Sequence, residues 1–282
     1  MDNQLEARFT EVRQRIAAAA ARAGRTGDQV DQIILVAVTK FAEPDQIRAL
    51  IDMGHTDFGE NKVQNLLDRA SMVDEFLTRR KVLPKVRARR SPLDSAADPG
   101  AGNSDTPAVR WHMIGHLQRN KARKAVDVCR LIQTVDSLRL AEELQAIGLK
   151  RDRDIEVLLQ VNCSGEQQKF GIPPPAARAL AEQIDSMSYL HLRGVMTIAE
   201  ATENPEDARF TFSQCRDIFE DIRKADITKD RCNILSMGMS GDYEVAIEEG
   251  ANVVRVGSAI FGSPAPSDSD TPDSAAVESA SS

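Results

Sequence analysis

Apolar and polar residues alternate along this chain with two different periods. Short apolar runs rich in β-branched residues predict eight strands: Ile33–Val38, Thr56–Phe58, Arg110–Ile114, Leu131–Thr134, Ile155–Val161, Leu190–Met196, Cys232–Met237 and Asn252–Val256. Between them, apolar residues three and four apart predict amphipathic helices: Glu43–Met53, Asn61–Thr78, Gln118–Val126, Ser137–Ile147, Pro174–Met187, Pro205–Ala225 and Gly241–Glu249. A further helix, Leu5–Ala23, precedes the first strand.

Strands that alternate with helices predict parallel βαβ units, and eight such units can close into a (β/α)₈ barrel. The alternative is an open, doubly wound sheet, which usually carries a glycine-rich turn after its first strand. Here that turn reads Val38-Thr-Lys-Phe-Ala-Glu-Pro44 and contains no glycine. We therefore predict the α/β class and a single TIM barrel.

Two segments depart from the strand and helix pattern. Residues 79–109 are a basic run followed by a stretch rich in Pro, Gly, Ser and Asp, and residues 263–282 are acidic with few large apolar side chains. Such compositions bury too little apolar surface to fold. The predicted organisation is one barrel over residues 1–262, interrupted by a disordered insertion at 79–109 and followed by a disordered acidic tail at 263–282.

Composition excludes several classes of protein. Hydrophobic residues make up 41% of the chain and aromatics only 4%, which predicts a mainly aliphatic core. No apolar run is long enough to span a membrane, and the first residues form no signal region, so we expect a cytoplasmic protein. The net charge of −7 argues against nucleic-acid binding.

Nothing in the spacing of cysteines and histidines predicts a metal site. Cys129, Cys163, Cys215 and Cys232 are scattered without a C-x-x-C pair, which is typical of free thiols. His112 and His116 are four apart, but they fall where a strand passes into a loop, and the glutamate of an H-E-x-x-H motif is missing. We predict no bound metal.

Candidate chemistry lies at the carboxyl ends of the predicted strands, where barrels bind their ligands. Lys40 follows the apolar run of the first strand. An amine held over a desolvated core would have a lowered pKa and could form a Schiff base. The alternative for Lys40 is an ordinary solvated lysine.

The last two strands end in small polar residues. Ser236-Met-Gly238-Met-Ser240 follows the seventh strand and Gly257-Ser258 follows the eighth, the pair of loops with which barrels commonly bind phosphate. Glycine allows backbone N–H groups to approach phosphate oxygens, and serine adds hydroxyl donors. The alternative is that small residues merely make tight turns.

Arg255 interrupts the apolar eighth strand, Val253-Val-Arg-Val-Gly257. A guanidinium in that position keeps its charge and therefore needs a partner. The partner is either a carboxylate of the core or a ligand at the mouth of the barrel, and the sequence leaves both open.

Several blocks of the chain resemble the pyridoxal phosphate homeostasis proteins, also called proline synthetase co-transcribed homologues. The blocks are Leu35-Val-Ala-Val-Thr-Lys40, Asp57-Phe-Gly-Glu-Asn61, Trp111-His-Met-Ile-Gly-His-Leu-Gln118, Gln160-Val-Asn162, Leu192-Arg-Gly-Val-Met-Thr197, Leu235-Ser-Met-Gly-Met-Ser240 and Val254-Arg-Val-Gly-Ser258-Ala-Ile-Phe-Gly262. They span the whole predicted barrel in order. Thr39 stands where the family commonly has serine, and the segments 79–109 and 263–282 have no counterpart in the family pattern.

The resemblance implies a barrel like the N-terminal domain of alanine racemase, the fold type III of pyridoxal 5′-phosphate (PLP) proteins. It implies PLP held as a reversible Schiff base on Lys40, with Arg255 facing the pyridine nitrogen and Asn61 bordering the ring. Ser240, Gly257 and Ser258 would hold the phosphate, and Ser236 and Gly238 belong to the same loop of cofactor-binding residues.

The function expected from this resemblance is PLP homeostasis, in which the protein buffers PLP or delivers it to apo-PLP enzymes and so affects amino-acid metabolism. One alternative is a small PLP-dependent amino-acid racemase with Tyr243 or His116 as its second base. Another is a barrel that binds a different phosphorylated metabolite. We assign no catalytic residue, and we expect a monomer or a weak dimer.

Overall fold

Eight parallel strands hydrogen-bond in sequence order and close on themselves. The computed structural model describes residues 3–79 and 108–262. Its strands are β1 Ile34–Val38, β2 Asp57–Glu60, β3 Arg110–Met113, β4 Cys129–Val135, β5 Ile155–Gln160, β6 Leu190–Met196, β7 Ile234–Ser236 and β8 Val253–Val256. Because β1 pairs with both β2 and β8, the predicted barrel is confirmed and the open-sheet alternative is wrong.

Helices cover the outside of this barrel. They are α1 Asn3–Arg22, α2 Asp28–Asp31, α3 Pro44–Asp52, α4 Val63–Arg79, α5 Arg119–Val128, α6 Leu138–Arg151, α7 Ala177–Asp185, α8 Arg209–Lys224, α9 Tyr243–Glu248 and α10 Ser258–Phe261. The helices predicted to start at Pro174 and Pro205 begin instead as 3₁₀ turns, which lead into α7 and α8. The four-residue helices α2 and α10 are too short to show a helical period, so the sequence did not predict them.

The alternation of side chains along each strand produces two separate cores. Side chains directed outward pack against the helices, in a cluster that includes Leu35, Ala37 and Val254. Side chains directed inward form a small apolar cluster inside the barrel: Ile34, Val36, Leu131, Leu158, Met196, Ile234 and Val253. This inner cluster fills the barrel with aliphatic side chains, as the low aromatic content predicted.

A polar layer lies above the inner apolar cluster. Two residues beyond Leu131, Ile234 and Val253, the same inward alternation reaches polar side chains, in the order Gln133, Ser236 and Arg255. All three are buried. The barrel interior is therefore apolar towards the amino ends of the strands and polar towards their carboxyl ends, where the candidate site lies.

The predicted insertion and tail fall almost entirely outside the described residues, which leave out 80–107 and 263–282. Arg79, which the sequence assigned to the insertion, is the last residue of α4 and forms an ion pair with Glu75 one turn earlier. The four cysteines are buried free thiols, as predicted. Among the helices described, none is long and apolar enough to cross a membrane.

Candidate functional site

Lys40 lies in the turn that leaves β1, at the mouth of the barrel. Its side chain is exposed, and its Nζ atom lies 4.8 Å from the centroid of the Phe41 ring. The expectation of a desolvated amine is therefore wrong in this structure. The preceding residue, Thr39, takes the fully buried position instead.

A buried carboxylate anchors the backbone just before Lys40. Thr39 Oγ1 donates a 2.6 Å hydrogen bond to Glu60 Oε1, and Arg69 Nε lies 2.8 Å from the same oxygen. Burial raises the pKa of Glu60, while the bonds from Thr39 and Arg69 oppose that rise. This contact joins the end of β1 to the end of β2, so the turn carrying Lys40 starts from a rigid base.

Strand pairing places the ends of β8 and β2 on either side of the end of β1, where Lys40 follows. A side chain on Gly257, after β8, would place its Cβ 3.2 Å from the carbonyl oxygen of Val38. Asn61, after β2, is exposed, and a Cβ on Gly115 would lie 2.1 Å from its carbonyl oxygen. The ends of β8, β1 and β2 therefore present Gly257, Lys40 and Asn61 in adjacent positions.

The small polar residues after β7 and β8 meet each other. Ser240 Oγ accepts hydrogen bonds from the backbone N–H groups of Gly257, at 3.1 Å, and Ala259, at 3.4 Å. Ser258 is exposed beside them as the first residue of α10. The structure thus gathers Ser240, Gly257 and Ser258 into one group of hydroxyls and N–H donors.

Gly238 has a structural reason to be glycine. Its φ of +93° lies in the left-handed region, and a Cβ there would come within 2.6 Å of the Ala246 Cβ in α9. Its carbonyl oxygen accepts the backbone N–H of Arg255. At this position a tight turn packed against α9 accounts for the residue, as the alternative for these loops proposed.

Arg255 is buried without an ion-pair partner among the described residues. Its Nη1 donates to Ser236 Oγ at 2.6 Å and its Nη2 to the carbonyl oxygen of Thr197 at 2.8 Å. Burial lowers the pKa of the guanidinium to about 10, and the negative charge of the more distant Asp242 limits this decrease. Arg255 therefore stays cationic at neutral pH, and a salt bridge to a core carboxylate is not what holds it.

Ser236 is separated from the rest of its predicted loop. It contacts Arg255 inside the barrel, whereas Ser240 contacts the start of α10. Behind Ser236 lie Gln133 and His112, also fully buried. Sequence reasoning did not select Gln133, although a polar residue within the apolar strand Leu131–Val135 carries the same signal as Arg255 does in β8.

The two candidate second bases lie in different places. His116 is at the mouth, with Nδ1 2.9 Å from Asp136 Oδ2 and its ring stacked on Phe170 at a centroid distance of 3.9 Å. Tyr243 is buried with its ring against α1, where the Arg15 guanidinium lies 5.6 Å from the ring centroid. Within residues 3–79 and 108–262, no three His, Cys, Asp or Glu side chains are grouped to hold a metal ion.

Comparison with known proteins decides the family. The alanine racemase N-terminal domain family matches residues 32–265. The chain is 34% identical to the pyridoxal phosphate homeostasis protein of Aquifex aeolicus, over 90% of this chain and 96% of that one. It is 32% identical to the human protein of the same name, over 95% and 89% of the two chains. This chain belongs to the pyridoxal phosphate homeostasis protein family.

A solved member of the family has the same barrel. PipY of Synechococcus elongatus, whose structure has been determined with PLP bound, is 29% identical to this chain and superposes with a TM-score of 0.67. The match covers 89% of this chain and all of PipY. The sequence blocks and the closed barrel therefore indicate the same family.

Proposed function

We propose that this protein binds PLP, holds it as a reversible Schiff base on Lys40, and buffers it or delivers it to apo-PLP enzymes. The observation that carries the proposal is that three kinds of group follow or end strands at the same, carboxyl end of the barrel. They are the primary amine of Lys40, the buried and cationic Arg255, and the donors around Ser240 and Gly257. Its relatives are named for PLP homeostasis, and PipY has been solved with PLP.

The donor set suits each part of this cofactor. The N–H groups of Gly257 and Ala259, which here donate to Ser240 Oγ, and the hydroxyls of Ser240 and Ser258 are donors of the kind that a phosphate requires. Lys40 follows β1, the strand next to β8, and Asn61 follows β2. The ring and its aldehyde would lie beside these two residues. Ser236 holds Arg255, and Gly238 shapes the turn between β7 and α9.

Arg255 favours a carrier over a carbanion-forming enzyme. PLP enzymes that stabilise carbanions generally protonate the pyridine nitrogen so that the ring serves as an electron sink. A guanidinium remains protonated at neutral pH and only donates a hydrogen bond, which leaves the ring a weaker sink. Tyr243, one candidate second base, packs against α1, and burial raises its pKa.

Borohydride trapping tests the proposal directly. Purified protein titrated with PLP should develop a visible absorbance band, and after reduction its intact mass should increase by one reduced PLP that peptide mapping assigns to Lys40. Lys40→Ala should abolish the band, because no other amine occupies that turn. Lys62→Ala, which removes an exposed lysine just after β2, is the matched control and should retain it.

An adduct that is absent, or that maps to another lysine, would overturn the proposal. If the barrel instead binds another phosphorylated metabolite, no adduct should form, because Lys40 would then act only as a charge. Transfer is tested separately, by mixing the loaded protein with an apo-PLP enzyme and following recovery of that enzyme's activity.

The racemase alternative is tested by exchange at Cα. His116 is favoured as its second base by its exposed position at the mouth and its contact with Asp136. Lys40-dependent exchange of solvent deuterium into a panel of amino acids, lost in His116→Ala, would replace the carrier by a racemase. We expect no exchange.

Two further expectations, a cytoplasmic location and a monomer or weak dimer, stay predictions.

A further inference from the structure

A line of hydrogen bonds crosses the barrel interior below the candidate site. It begins at Arg255 in β8, whose Nη1 lies 2.6 Å from Ser236 Oγ in β7. Ser236 Oγ lies 2.6 Å from Gln133 Oε1 in β4, and Gln133 Nε2 lies 3.0 Å from His112 Nδ1 in β3. The line ends at Asp57 in β2, whose Oδ1 lies 3.1 Å from His112 Nε2. We call these five residues the barrel relay.

The chemistry of the end groups gives the relay a single direction. An ionised carboxylate only accepts, so His112 Nε2 carries the hydrogen that points to Asp57. His112 Nδ1 is then free to accept from the amide nitrogen of Gln133. The amide oxygen of Gln133 accepts from the Ser236 hydroxyl, whose own lone pair accepts from Arg255. Every donor therefore points from the guanidinium towards the carboxylate.

Burial makes this arrangement costly to break. The side chains of His112, Gln133 and Ser236 are fully buried. If one of their hydrogen bonds is broken, the donor or acceptor cannot form a hydrogen bond to water instead. At the far end, Arg110 binds Asp57 through two nitrogens, at 2.8 and 2.7 Å. Burial opposes the charge on Asp57, but the bonds from Arg110 and His112 prevail and hold the pKa of this carboxyl well below its usual range.

We propose that Asp57, His112 and Gln133 are positioning residues that orient Arg255 at the PLP site through the fixed direction of their hydrogen bonds. The inference rests on the proposed function of Arg255 towards PLP. It goes beyond that function because all three are buried inside the barrel, below the mouth. Arg110 balances the charge of Asp57 at the far end, so what the three residues pass on to Arg255 is orientation rather than charge.

Gln133→Leu breaks the relay at its middle while keeping a side chain of similar size. We expect PLP to bind about tenfold more weakly, because Arg255 loses its fixed orientation, and the absorption maximum of the Lys40 adduct to shift. Thr228→Val is the control. It removes another buried side-chain hydrogen bond, to the backbone N–H of Cys232 before β7, and should leave both the affinity and the maximum unchanged.

The tautomer of His112 tests the relay without any cofactor. In protein labelled with ¹⁵N-histidine, the relay predicts that Nε2 carries the hydrogen and Nδ1 does not, with the His112 signals identified from their loss in His112→Asn. In Gln133→Glu the new carboxylate should accept from both Ser236 and His112, so both ring nitrogens of His112 should become protonated. A purely space-filling Gln133 would leave the tautomer as it is.

Two results would overturn the relay. One is a Gln133→Leu protein whose PLP affinity and adduct spectrum match those of the unaltered protein. The other is a His112 whose Nδ1 already carries hydrogen in the unaltered protein. Should Gln133→Leu fail to fold, the tautomer of the unaltered protein and its response to Gln133→Glu decide. Failure of the proposed function is distinct: the unaltered protein would form no Lys40 adduct, whatever the tautomer of His112.

Discussion

Asp57 connects several groups at the amino end of β2. Its side chain accepts from Arg110, His112 and Thr56, and its backbone oxygen contacts the ring of His55. Burial by itself would raise the pKa of Asp57, yet its hydrogen bonds lower it. Because the folded protein binds a proton here less readily than the unfolded chain does, this residue links stability to pH.

Asp57→Asn should change how the free energy of unfolding depends on pH. Because its pKa is lowered in the folded protein, Asp57 makes its full contribution to the free energy of unfolding above about pH 4. That contribution decreases as the pH falls below the pKa that Asp57 has in the unfolded chain. At pH 7 we expect Asp57→Asn to cost about 1.5–3 kcal/mol, since the hydrogen bonds donated by Arg110 and His112 lose their charged acceptor. The difference from the unaltered protein should shrink below about pH 4.

Urea unfolding at a series of pH values between neutrality and strong acid would measure this difference. Asp45→Asn is the control, because the Asp45 side chain is 91% exposed and its pair with Arg48 is solvated. Parallel profiles for Asp57→Asn and the unaltered protein would contradict the linkage.

At the scale of elements, α1 is the helix that covers the place where the barrel closes. It packs against α9 and α10, beside the joined β1 and β8. Its buried residues recur three and four apart: Leu5, Phe9, Val12, Ile16, Ala19 and Ala20. Arg15 and Arg22 pair with glutamates of α9, but half-exposed pairs of this kind contribute little. The apolar stripe therefore holds α1 in place.

Phe9→Ala should expose the importance of that stripe. The Phe9 ring is buried and meets the His55 ring edge to face at 5.3 Å, so its removal leaves a cavity between α1 and the barrel. We expect a loss of about 3–5 kcal/mol in the free energy of unfolding. Phe210→Ala, which truncates a side chain that is 73% exposed, should cost less than about 0.5 kcal/mol. Equal losses in the two variants would refute the packing of α1 described here.

At the scale of the whole molecule, closure lets distant parts of the chain share one ligand. The candidate site draws Lys40 and Asn61 from the first two strands and Ser240 and Gly257 from the last two, with β8 paired directly to β1. A ligand held by all four strand ends opposes opening of the barrel along the β1–β8 seam. Binding should therefore stabilise the native state as a whole.

PLP should raise the thermal unfolding temperature of the protein. At a concentration about 100 times Kd the stabilisation is about 2.7 kcal/mol, which corresponds to roughly 5–10 °C for a domain of this size. Lys40→Ala should keep only a small part of that rise, because the phosphate contacts remain and the Schiff base does not form. Thermal scans with PLP, with inorganic phosphate and without ligand would measure this, and an equal rise in Lys40→Ala would argue against the adduct.

The sequence by itself determined the barrel and most of the candidate site. The alternation of apolar residues depends only on local geometry, so the eight strands and the main helices could be predicted to within a few residues. Parallel strands end on the same side, which is why Lys40, Ser240, Arg255 and Gly257 could be selected from where their strands stop.

Tertiary structure alone decided which side chains meet. Ser236 and Gln133 are 103 residues apart, and no local pattern specifies that a closed barrel makes them partners. The same holds for the exposure of Lys40, which depends on Thr39 taking the buried position against Glu60, and for Tyr243, which α1 covers from the outside. Periodicity specifies which face of an element is buried, whereas the partner across the core depends on strand register and closure.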